Sequence, residues 1–398
     1  MRKSRCSLLI TALLTVSLLT GCWDRVEIEQ RGFVMAIGID MIPKQEEEQK
    51  ISLALTYQIA VPAKIQTGAG GREGGGGEQG GKPYVNMTTE GDTLFETVRI
   101  MATRSSRSLF FEHVKLVLIG EEVARSGYLN RVIDFLLRDH EMRRRMKVIV
   151  VKGEARKALD VMPKQERMTS EYLESLTENT KKTARMPSEL AIGDLSEKII
   201  SKTSFVVQRV AFNEKELKMA GGAVIHGHNN KLVGWLDEED TEALMWITGD
   251  LKGGITETVL PSGERVVYEI RTANTKIEPK VEKGKFYFHI QVESEGSLGE
   301  SWENRDTLDK KFISEVEKAV EKDIQQSITD VIKKLQTELK ADVAGLGSTL
   351  ARKEPKVWEK VKNDWDHGKN YFRDAKVDVD VQVVIRFPGT ISKLKGKE

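Results

Sequence analysis

Residues 306–339, DTLDKKFISEVEKAVEKDIQQSITDVIKKLQTEL, decide the C-terminal half of the fold. Their large apolar side chains recur at steps of three and four residues, which predicts one long amphipathic helix with Asp306 as its N-cap. The stripe consists of Phe312, Val316, Val320, Ile324, Ile328, Val331, Leu335 and Leu339. Such a stripe packs on the protein's own sheet more often than it forms a coiled coil with a partner, so we expect sheet packing and keep the coiled coil as the alternative.

Strand patterns lie on both sides of this helix. Residues 377–385, VDVDVQVVI, alternate apolar and polar side chains and predict a half-buried antiparallel strand that closes the domain. Upstream, residues 266–272 and 286–293 predict two strands, and Ile277 is assigned to a third. The C-terminal half is therefore predicted to be a sheet packed against one long helix.

The N-terminal half mixes both kinds of element. Residues 33–40 and 51–61 predict a β-hairpin, because two apolar runs flank a charged turn. Beyond it, predicted strands at 84–88, 113–119 and 147–151 alternate with predicted helices at 92–104, 129–138 and 154–162. The predicted fold class is mixed α/β of the α+β kind, multidomain, with largely antiparallel sheets packed with helices and one long amphipathic C-terminal helix.

Composition divides the chain into parts. We expect a leader at 1–21, an N-terminal mixed α/β region of one or two subdomains at 22–205, and a C-terminal α+β domain at 211–398. Residues 68–82, GAGGREGGGGEQGGK, contain nine glycines and no large apolar side chain. Since Lys82 is followed by proline instead of serine or threonine, this segment predicts a flexible surface loop and not a phosphate-binding loop.

The N-terminus has the pattern of a bacterial lipoprotein signal. A basic start and an apolar run from Leu8 to Leu19 precede Gly21-Cys22. The run is about twelve residues long, well short of the roughly 20 that a helix needs to cross a bilayer. We predict cleavage before Cys22 and attachment of diacylglycerol and an N-acyl chain to that cysteine; a plain signal peptide or an uncleaved anchor helix is the alternative.

Charge and cysteine content exclude several classes of protein. The chain has 62 basic and 61 acidic residues, and removing the leader changes its formal net charge from +1 to about −2, because three basic side chains and no acidic ones are lost. Nucleic-acid binding needs a concentrated basic face, so it is not predicted. One of the two cysteines, Cys6, leaves with the leader and the other is acylated, so no disulfide is expected in the mature chain.

No pattern predicts catalysis. The sequence has no GxSxG, no HExxH and no dinucleotide fingerprint after a strand, and acylation removes Cys22 as a nucleophile. We therefore predict a protein that is not an enzyme, with no cofactor apart from its covalent lipid. A surface-anchored hydrolase, with a site assembled from distant residues, has only scattered residues in its favour.

Metal binding is not predicted either. His226 and His228 come nearest to a ligand pair, because residues two apart on a strand point to the same side, but no third ligand can be named. His113 is assigned to an apolar strand as a structural histidine. Asp378 and Asp380 share one face of the closing strand, where we expect solvent-exposed carboxylates and not cation ligands.

An arginine-rich segment is the one candidate for interaction. Residues 138–145, RDHEMRRR, place four arginines around two acidic residues. Arginine can contact carboxylates or lipid headgroups through two parallel hydrogen bonds, so Arg138, Asp139 and Arg143 are candidate interaction residues. The alternative is a charged helix end without a partner.

Several motifs resemble those of the Ger(x)C family, the lipoprotein C subunits of bacterial spore germinant receptors. In that family the acylated cysteine is followed by tryptophan and aspartate and then by an apolar strand that ends in Gly-Ile-Asp. The matching residues here are Gly21-Cys22-Trp23-Asp24-Arg25, Gly38-Ile39-Asp40, 111–115, 135–139, 222–224, 232–236 and Trp358. They occur in the same order over nearly the whole mature chain, whereas residues 68–82 and 352–365 depart from the pattern.

The resemblance implies a non-enzymatic receptor subunit tethered by Cys22 to the outer face of the spore inner membrane, with Trp23, Asp24 and Arg25 next to the membrane. It also implies partners: a transporter-like multi-spanning subunit and a second membrane subunit, in a complex triggered by small nutrients. A lipid-anchored solute-binding protein of an importer is the alternative. Such proteins usually have two lobes of repeated β-α-β units with a ligand cleft between them, whereas this sequence is rich in predicted hairpins and has one long helix.

Overall fold

The computed structural model describes residues 30–43, 51–62, 82–301 and 309–387. The expected leader, Cys22 as the predicted site of acylation with its Trp23-Asp24-Arg25 motif, and all but the last residue of the glycine-rich segment lie outside these ranges. Within the ranges, the chain forms two β-sheets packed with helices, which confirms the α+β class.

Ten strands form the larger sheet in the part of the chain that the structure describes. In chain order they are β1 (Arg31–Pro43), β2 (Ile51–Ala60), β3 (Tyr84–Gly91), β4 (Ser108–Phe110), β5 (Leu116–Gly120), β6 (Lys147–Val151), β7 (Leu190–Ala191), β8 (Phe205–Phe212), β9 (Leu217–His226) and β10 (Lys231–Leu236). Their spatial order is β10-β9-β8-β6-β5-β1-β2-β3, with β4 also beside β1 and β7 beside β6. Antiparallel pairing of β1 with β2 confirms the predicted N-terminal hairpin.

The centre of this sheet is parallel. β1 pairs parallel with β5, β5 with β6, and β6 with β8. Six helices accompany these strands: α1 (Leu94–Ala102), α2 (Glu121–Ser126), α3 (Leu129–Arg138), α4 (Ala155–Asp160), α5 (Thr169–Thr177) and α6 (Ile192–Ser201). Parallel strands need long crossovers, and both faces of the central strands are buried in separate apolar clusters, which explains their continuous apolar sequences.

The smaller sheet has four strands, β11 (Gly254–Val259), β12 (Arg265–Glu282), β13 (Lys285–Ser301) and β14 (Lys376–Phe387), in that order. β12 and β13 form one long antiparallel hairpin, so the assignment of Ile277 to a separate strand was wrong. The two-residue turn between them has positive φ at Lys283 (49°) and Gly284 (77°), the geometry that matches the twist of paired strands. The sequence showed the apolar–polar alternation of residues 266–272, but it did not show that these residues and Ile277 belong to one continuous strand.

The long helix α8 (Lys310–Lys334) packs its apolar stripe on this sheet, as predicted, and continues as a π-helical turn at Leu335–Leu339. Its N-cap is Asp309, whose carboxylate accepts a hydrogen bond from the Lys311 N–H at 2.9 Å. The prediction of Asp306 was therefore wrong by one turn. Both positions precede the stripe, and the sequence pattern alone did not separate them.

The last strand, β14, corrects another prediction. It pairs parallel with β13 and not antiparallel, because α8 forms the crossover between the two strands. The helix also covers the free edge of β14: Glu321 and Glu317 accept hydrogen bonds from the N–H groups of Val383 and Ile385, both at 2.9 Å. An exposed strand edge invites pairing with other chains, so these glutamates protect it.

A further helix, α7 (Glu238–Thr248), joins the two sheets and has Asp237 as its N-cap. β9 pairs with β8 and β10 pairs with β9 in the larger sheet, so that sheet extends past residues 205–211, where the predicted domain boundary lies. The larger sheet therefore ends later in the sequence than the predicted domain boundary. The division into domains stays a prediction. Within the described ranges, no helix has both the length and the apolar content needed to cross a membrane.

Candidate interaction surface

Loops that carry the candidate interaction residues meet at one end of the larger sheet. β5 begins at Leu116 and β6 at Lys147, and these two residues are paired. Parallel strands begin at the same end, so the loops that enter β4, β5 and β6 lie together there. We call this end the N-terminal rim and define it as Arg31 with residues 103–107, 111–115 and 139–146.

The backbone of residues 139–146 is held in place by its neighbours. The carbonyl oxygens of Arg144 and Met146 accept hydrogen bonds from the N–H groups of Gly193 and Ile192, both at 2.9 Å. These donors belong to the first turn of α6. The loop therefore presents its side chains from a fixed backbone.

Side chains link this loop to residues 111–115. The Arg143 guanidinium donates to the Glu112 carboxylate at 3.0 Å, and the Phe111 N–H donates to the Glu141 carboxylate at 3.3 Å. Arg143 and Glu112 are both exposed, so their ion pair adds little stability but fixes the orientation of the guanidinium. The sequence did not indicate that Glu112 is the partner of Arg143, because the two residues lie 31 positions apart.

The other two candidate residues have separate partners. Arg138 pairs with Asp134 one turn earlier on α3 at 2.8 Å, and both side chains are largely exposed. Asp139 accepts a hydrogen bond from the Glu141 N–H at 3.0 Å. Burial raises the pKa of the Tyr57 phenol well above its usual range, and the negative charge of Asp139 raises it further. The three predicted residues therefore lie in one region but do not form one cluster.

Several rim arginines are exposed and have no carboxylate partner among the described residues. Arg107, Arg144 and Arg145 are exposed, and no ion pair to another described side chain involves them. Arg31 at the start of β1 differs, because its guanidinium lies 4.4 Å above the centre of the Phe110 ring. The rim thus offers several guanidinium groups to an external partner.

Asp40, the last residue of the Gly-Ile-Asp motif, lies at the opposite end of β1 and is buried. Its two carboxylate oxygens accept hydrogen bonds from the N–H groups of Ala155 at 2.7 Å and Arg156 at 2.8 Å, in the first turn of α4. Burial raises the pKa of this carboxyl, against the lowering effect of those two bonds. Gly120 packs so closely that a Cβ there would lie 2.2 Å from the carboxylate. Within this chain, the motif braces a helix N-terminus against the sheet.

The two histidines near the β9–β10 turn do not form a metal pair. His226 is buried, and its Nε2 lies 3.1 Å from the carbonyl oxygen of Asp366. The His226 Nδ1 accepts a hydrogen bond from the His228 backbone N–H at 3.2 Å, and the His228 ring stacks on the His367 ring at 4.0 Å. His113 also differs from its prediction: it precedes β5, is exposed, and contacts the rings of Phe33 and Phe110.

The outer face of the smaller sheet brings His289 between Asp378 and Asp380. Each ring nitrogen of His289 lies 3.4 Å from one of these carboxylates. This trio is the one group of three potential metal ligands found among the described residues. Both aspartates are more than two thirds exposed, as predicted.

The junction between the sheets contains buried polar groups that sequence reasoning missed. Asp342 accepts hydrogen bonds from the Trp365 indole N–H at 2.7 Å and from the N–H groups of Gly347 and Leu346. Asp366 accepts one from the Ser204 hydroxyl at 2.5 Å, which joins the end of the larger sheet to the C-terminal segment. Ser204 and Asp366 are 162 residues apart, and no local pattern indicates their contact.

A cavity of about 430 Å³ opens at this junction. Lys202, Lys362, His228 and Trp358 are among its lining residues. Burial lowers the pKa of His228, and the neighbouring His367 and Lys202 lower it further. The two carboxylates that line the cavity already have partners within the protein: Asp342 binds groups of the C-terminal segment, and Asp366 binds Ser204.

Comparisons with known proteins cover nearly all of the described chain. Residues 24–211 match the family described as "Spore germination protein N-terminal domain", and residues 220–389 match "Spore germination B3/ GerAC like, C-terminal". Similar proteins in Bacillus subtilis (strain 168) include spore germination protein YndF, 34% identical over 98% of this chain and 99% of its own length. Spore germination protein B3 of the same strain is 30% identical over 94% of this chain and 96% of its own.

A solved structure has the same fold. The crystal structure of the GerBC protein superposes with a TM-score of 0.60 and covers 89% of this chain and 98% of its own. At 24% identity, this structural similarity shows that the two proteins share a fold and shows nothing further. The two family matches and the full-length relatives together decide the family: the chain belongs to the Ger(x)C family of spore germination proteins.

Proposed function

We propose that this protein is the lipid-anchored, non-enzymatic C subunit of a spore nutrient germinant receptor. Cys22 carries the diacylglycerol and N-acyl lipid, and Trp23, Asp24 and Arg25 lie next to the membrane. The protein assembles on the outer face of the spore inner membrane with a transporter-like multi-spanning subunit and a second membrane subunit. The complex enables germination in response to small nutrients.

The observation that carries the proposal is the match to both Ger(x)C domains in a chain that also has a lipoprotein signal. Several acyl chains, each methylene contributing about 0.8 kcal/mol when buried, would hold such a protein on a bilayer almost permanently. The described side chains support a scaffold and not a catalyst. Their buried carboxylates cap helix termini or link the two sheets, as Asp40 and Asp342 do.

The solute-binding alternative has less support. A binding protein of an importer is expected to close two lobes of β-α-β units around its ligand. Here the larger sheet has ten described strands, whereas the smaller one is a meander of three antiparallel strands closed by one parallel strand. The cavity at the junction is lined by side chains of both parts, but the carboxylates beneath it have protein partners.

Replacing Cys22 with alanine tests the anchor. The proposal predicts that the variant leaves the spore membrane fraction and that spores carrying it respond poorly to nutrients. Cys6→Ala is the matched control, because it removes the same thiol from the leader and leaves the acylation site intact. Normal membrane retention and normal germination of the Cys22 variant would contradict the proposal.

A further inference from the structure

The larger sheet has a strong charge difference between its two ends. The N-terminal rim carries seven basic and three acidic side chains. The opposite end, where β3, β5, β6 and β8 finish, carries six acidic and two basic side chains in the connecting segments 91–93, 120–122, 152–154 and 213–216. Glu174 pairs with Lys115 at 2.8 Å from outside the rim, but basic side chains remain in excess and give the rim a positive potential, even though the whole chain is nearly neutral.

Part of this positive charge is free to act externally. Within the described residues, Arg143 is paired with Glu112, whereas Arg107, Arg144 and Arg145 are exposed and have no carboxylate partner. Because the backbone of 139–146 is held by α6, binding does not have to order this loop, and the cost falls only on the side chains that become immobilised. A planar guanidinium forms two parallel hydrogen bonds with a phosphate group.

The rim also lies at the end of the sheet that leads to the expected anchor. Cys22 precedes Arg31 by nine residues, which span at most about 31 Å when fully extended. The opposite end of β1 lies about 40 Å further along the strand. A short tether therefore keeps the basic end, and not the acidic end, next to the bilayer.

We propose that the N-terminal rim docks on an anionic phospholipid surface, with Arg107, Arg144 and Arg145 contacting headgroup phosphates. This inference rests on the proposed membrane anchor at Cys22 but concerns a different part of the chain. It assigns the rim a second membrane contact that orients the two sheets above the bilayer. The acyl chains on Cys22 already retain the protein on the bilayer, so the basic surface contributes orientation and not retention.

Vesicle binding without the acyl chain tests the rim by itself. The mature chain, residues 22–398 with Cys22→Ala, is titrated with vesicles of phosphatidylcholine alone and of phosphatidylcholine mixed with phosphatidylglycerol. Each basic side chain near an anionic surface strengthens binding about fivefold, so Arg144→Gln with Arg145→Gln should weaken binding to the anionic vesicles about 25-fold. Raising the salt concentration to about 1 M should abolish binding, because charges are then screened beyond about 3 Å.

Lys318→Gln with Lys322→Gln is the matched control. Both lysines are exposed on α8, in the other half of the molecule, and have no ion pair with a described side chain. The control changes the net charge by the same amount as the rim variant and should leave vesicle binding unchanged. An equal loss in both variants would show that only net charge matters and would overturn the proposal.

A second measurement uses the acylated protein, so that weak binding of the soluble form does not decide the outcome. Amide exchange in residues 139–146 should slow when the acylated protein sits on anionic nanodiscs instead of neutral ones. Equal exchange on both, together with equal binding to both kinds of vesicle, would overturn the proposal. If the Arg144 and Arg145 variant instead lost a membrane protein partner, the rim would be a protein interface. The anchor is judged separately, by membrane retention of the Cys22 variant.

Discussion

Replacing Gly120 with alanine tests how Asp40 supports the larger sheet. The added Cβ would lie 2.2 Å from the Asp40 carboxylate oxygen, far inside van der Waals contact. Gly120 has φ −65° and ψ 151°, values that alanine adopts freely, so the substitution adds no backbone strain of its own. The next nearest atom outside Asp40, the Ile39 carbonyl oxygen, would lie at 3.2 Å, so we expect displacement of the carboxylate to dominate the effect.

The magnitude follows from the bonds that the carboxylate makes. Two backbone N–H groups, of Ala155 and Arg156, donate to it at 2.7 and 2.8 Å, and a hydrogen bond to a charged group contributes about 1.5–3 kcal/mol. Displacement weakens both bonds and also relieves part of the cost of burying the charge. We expect the free energy of unfolding to fall by about 3 kcal/mol.

Urea unfolding of four proteins measures this effect: the wild type, Gly120→Ala, Asp40→Ala and the double variant. If the glycine acts through the carboxylate, the double variant should be no less stable than Asp40→Ala alone. Gly299→Ala is the control, since its Cβ would have no neighbour closer than 3.5 Å, and it should change stability by at most about 0.5 kcal/mol. Additive losses in the double variant, or a Gly120→Ala no worse than the control, would refute the reasoning.

Three further predictions concern other charged groups. Asp342→Ala leaves three buried donors unpaired, including the Trp365 indole, and should lower the free energy of unfolding by about 4 kcal/mol in urea titrations. Burial raises the pKa of Asp342 and of Asp40, so the folded state binds a proton at each carboxyl more tightly than the unfolded state does. As the pH falls through the raised pKa of Asp342 towards 3.8, the wild type should therefore gain stability relative to Asp342→Asn, which has no carboxyl to protonate at this position. Asp134→Asn, which removes the exposed partner of Arg138, should leave the thermal midpoint unchanged.

Local periodicity predicted most of the elements. The stripe from Phe312 to Leu339 indicated α8 because burial on one side repeats every three to four residues, whatever the helix packs against. The direction of β14 could not be obtained in the same way. Alternation along 377–385 shows that one face is buried, but parallel and antiparallel partners bury it equally.

Contacts between distant segments limited the prediction of the site. The segment 138–145 was identified from its composition, yet the division into paired and unpaired arginines depends on Glu112, which another loop supplies. The junction depends in the same way on Ser204 and Asp366. The Gly-Ile-Asp motif was recognised as a pattern, but its role emerges only where Asp40 meets the N-terminus of α4.

The most direct test of the proposed receptor subunit is mass spectrometry of the proteins that co-purify with it from detergent-solubilised spore inner membranes. The proposal predicts stoichiometric recovery of a transporter-like multi-spanning subunit and a second membrane subunit with the wild type and with Cys6→Ala. Much lower recovery is expected with Cys22→Ala. Recovery of importer ATPase components, or of no membrane partner at all, would contradict it.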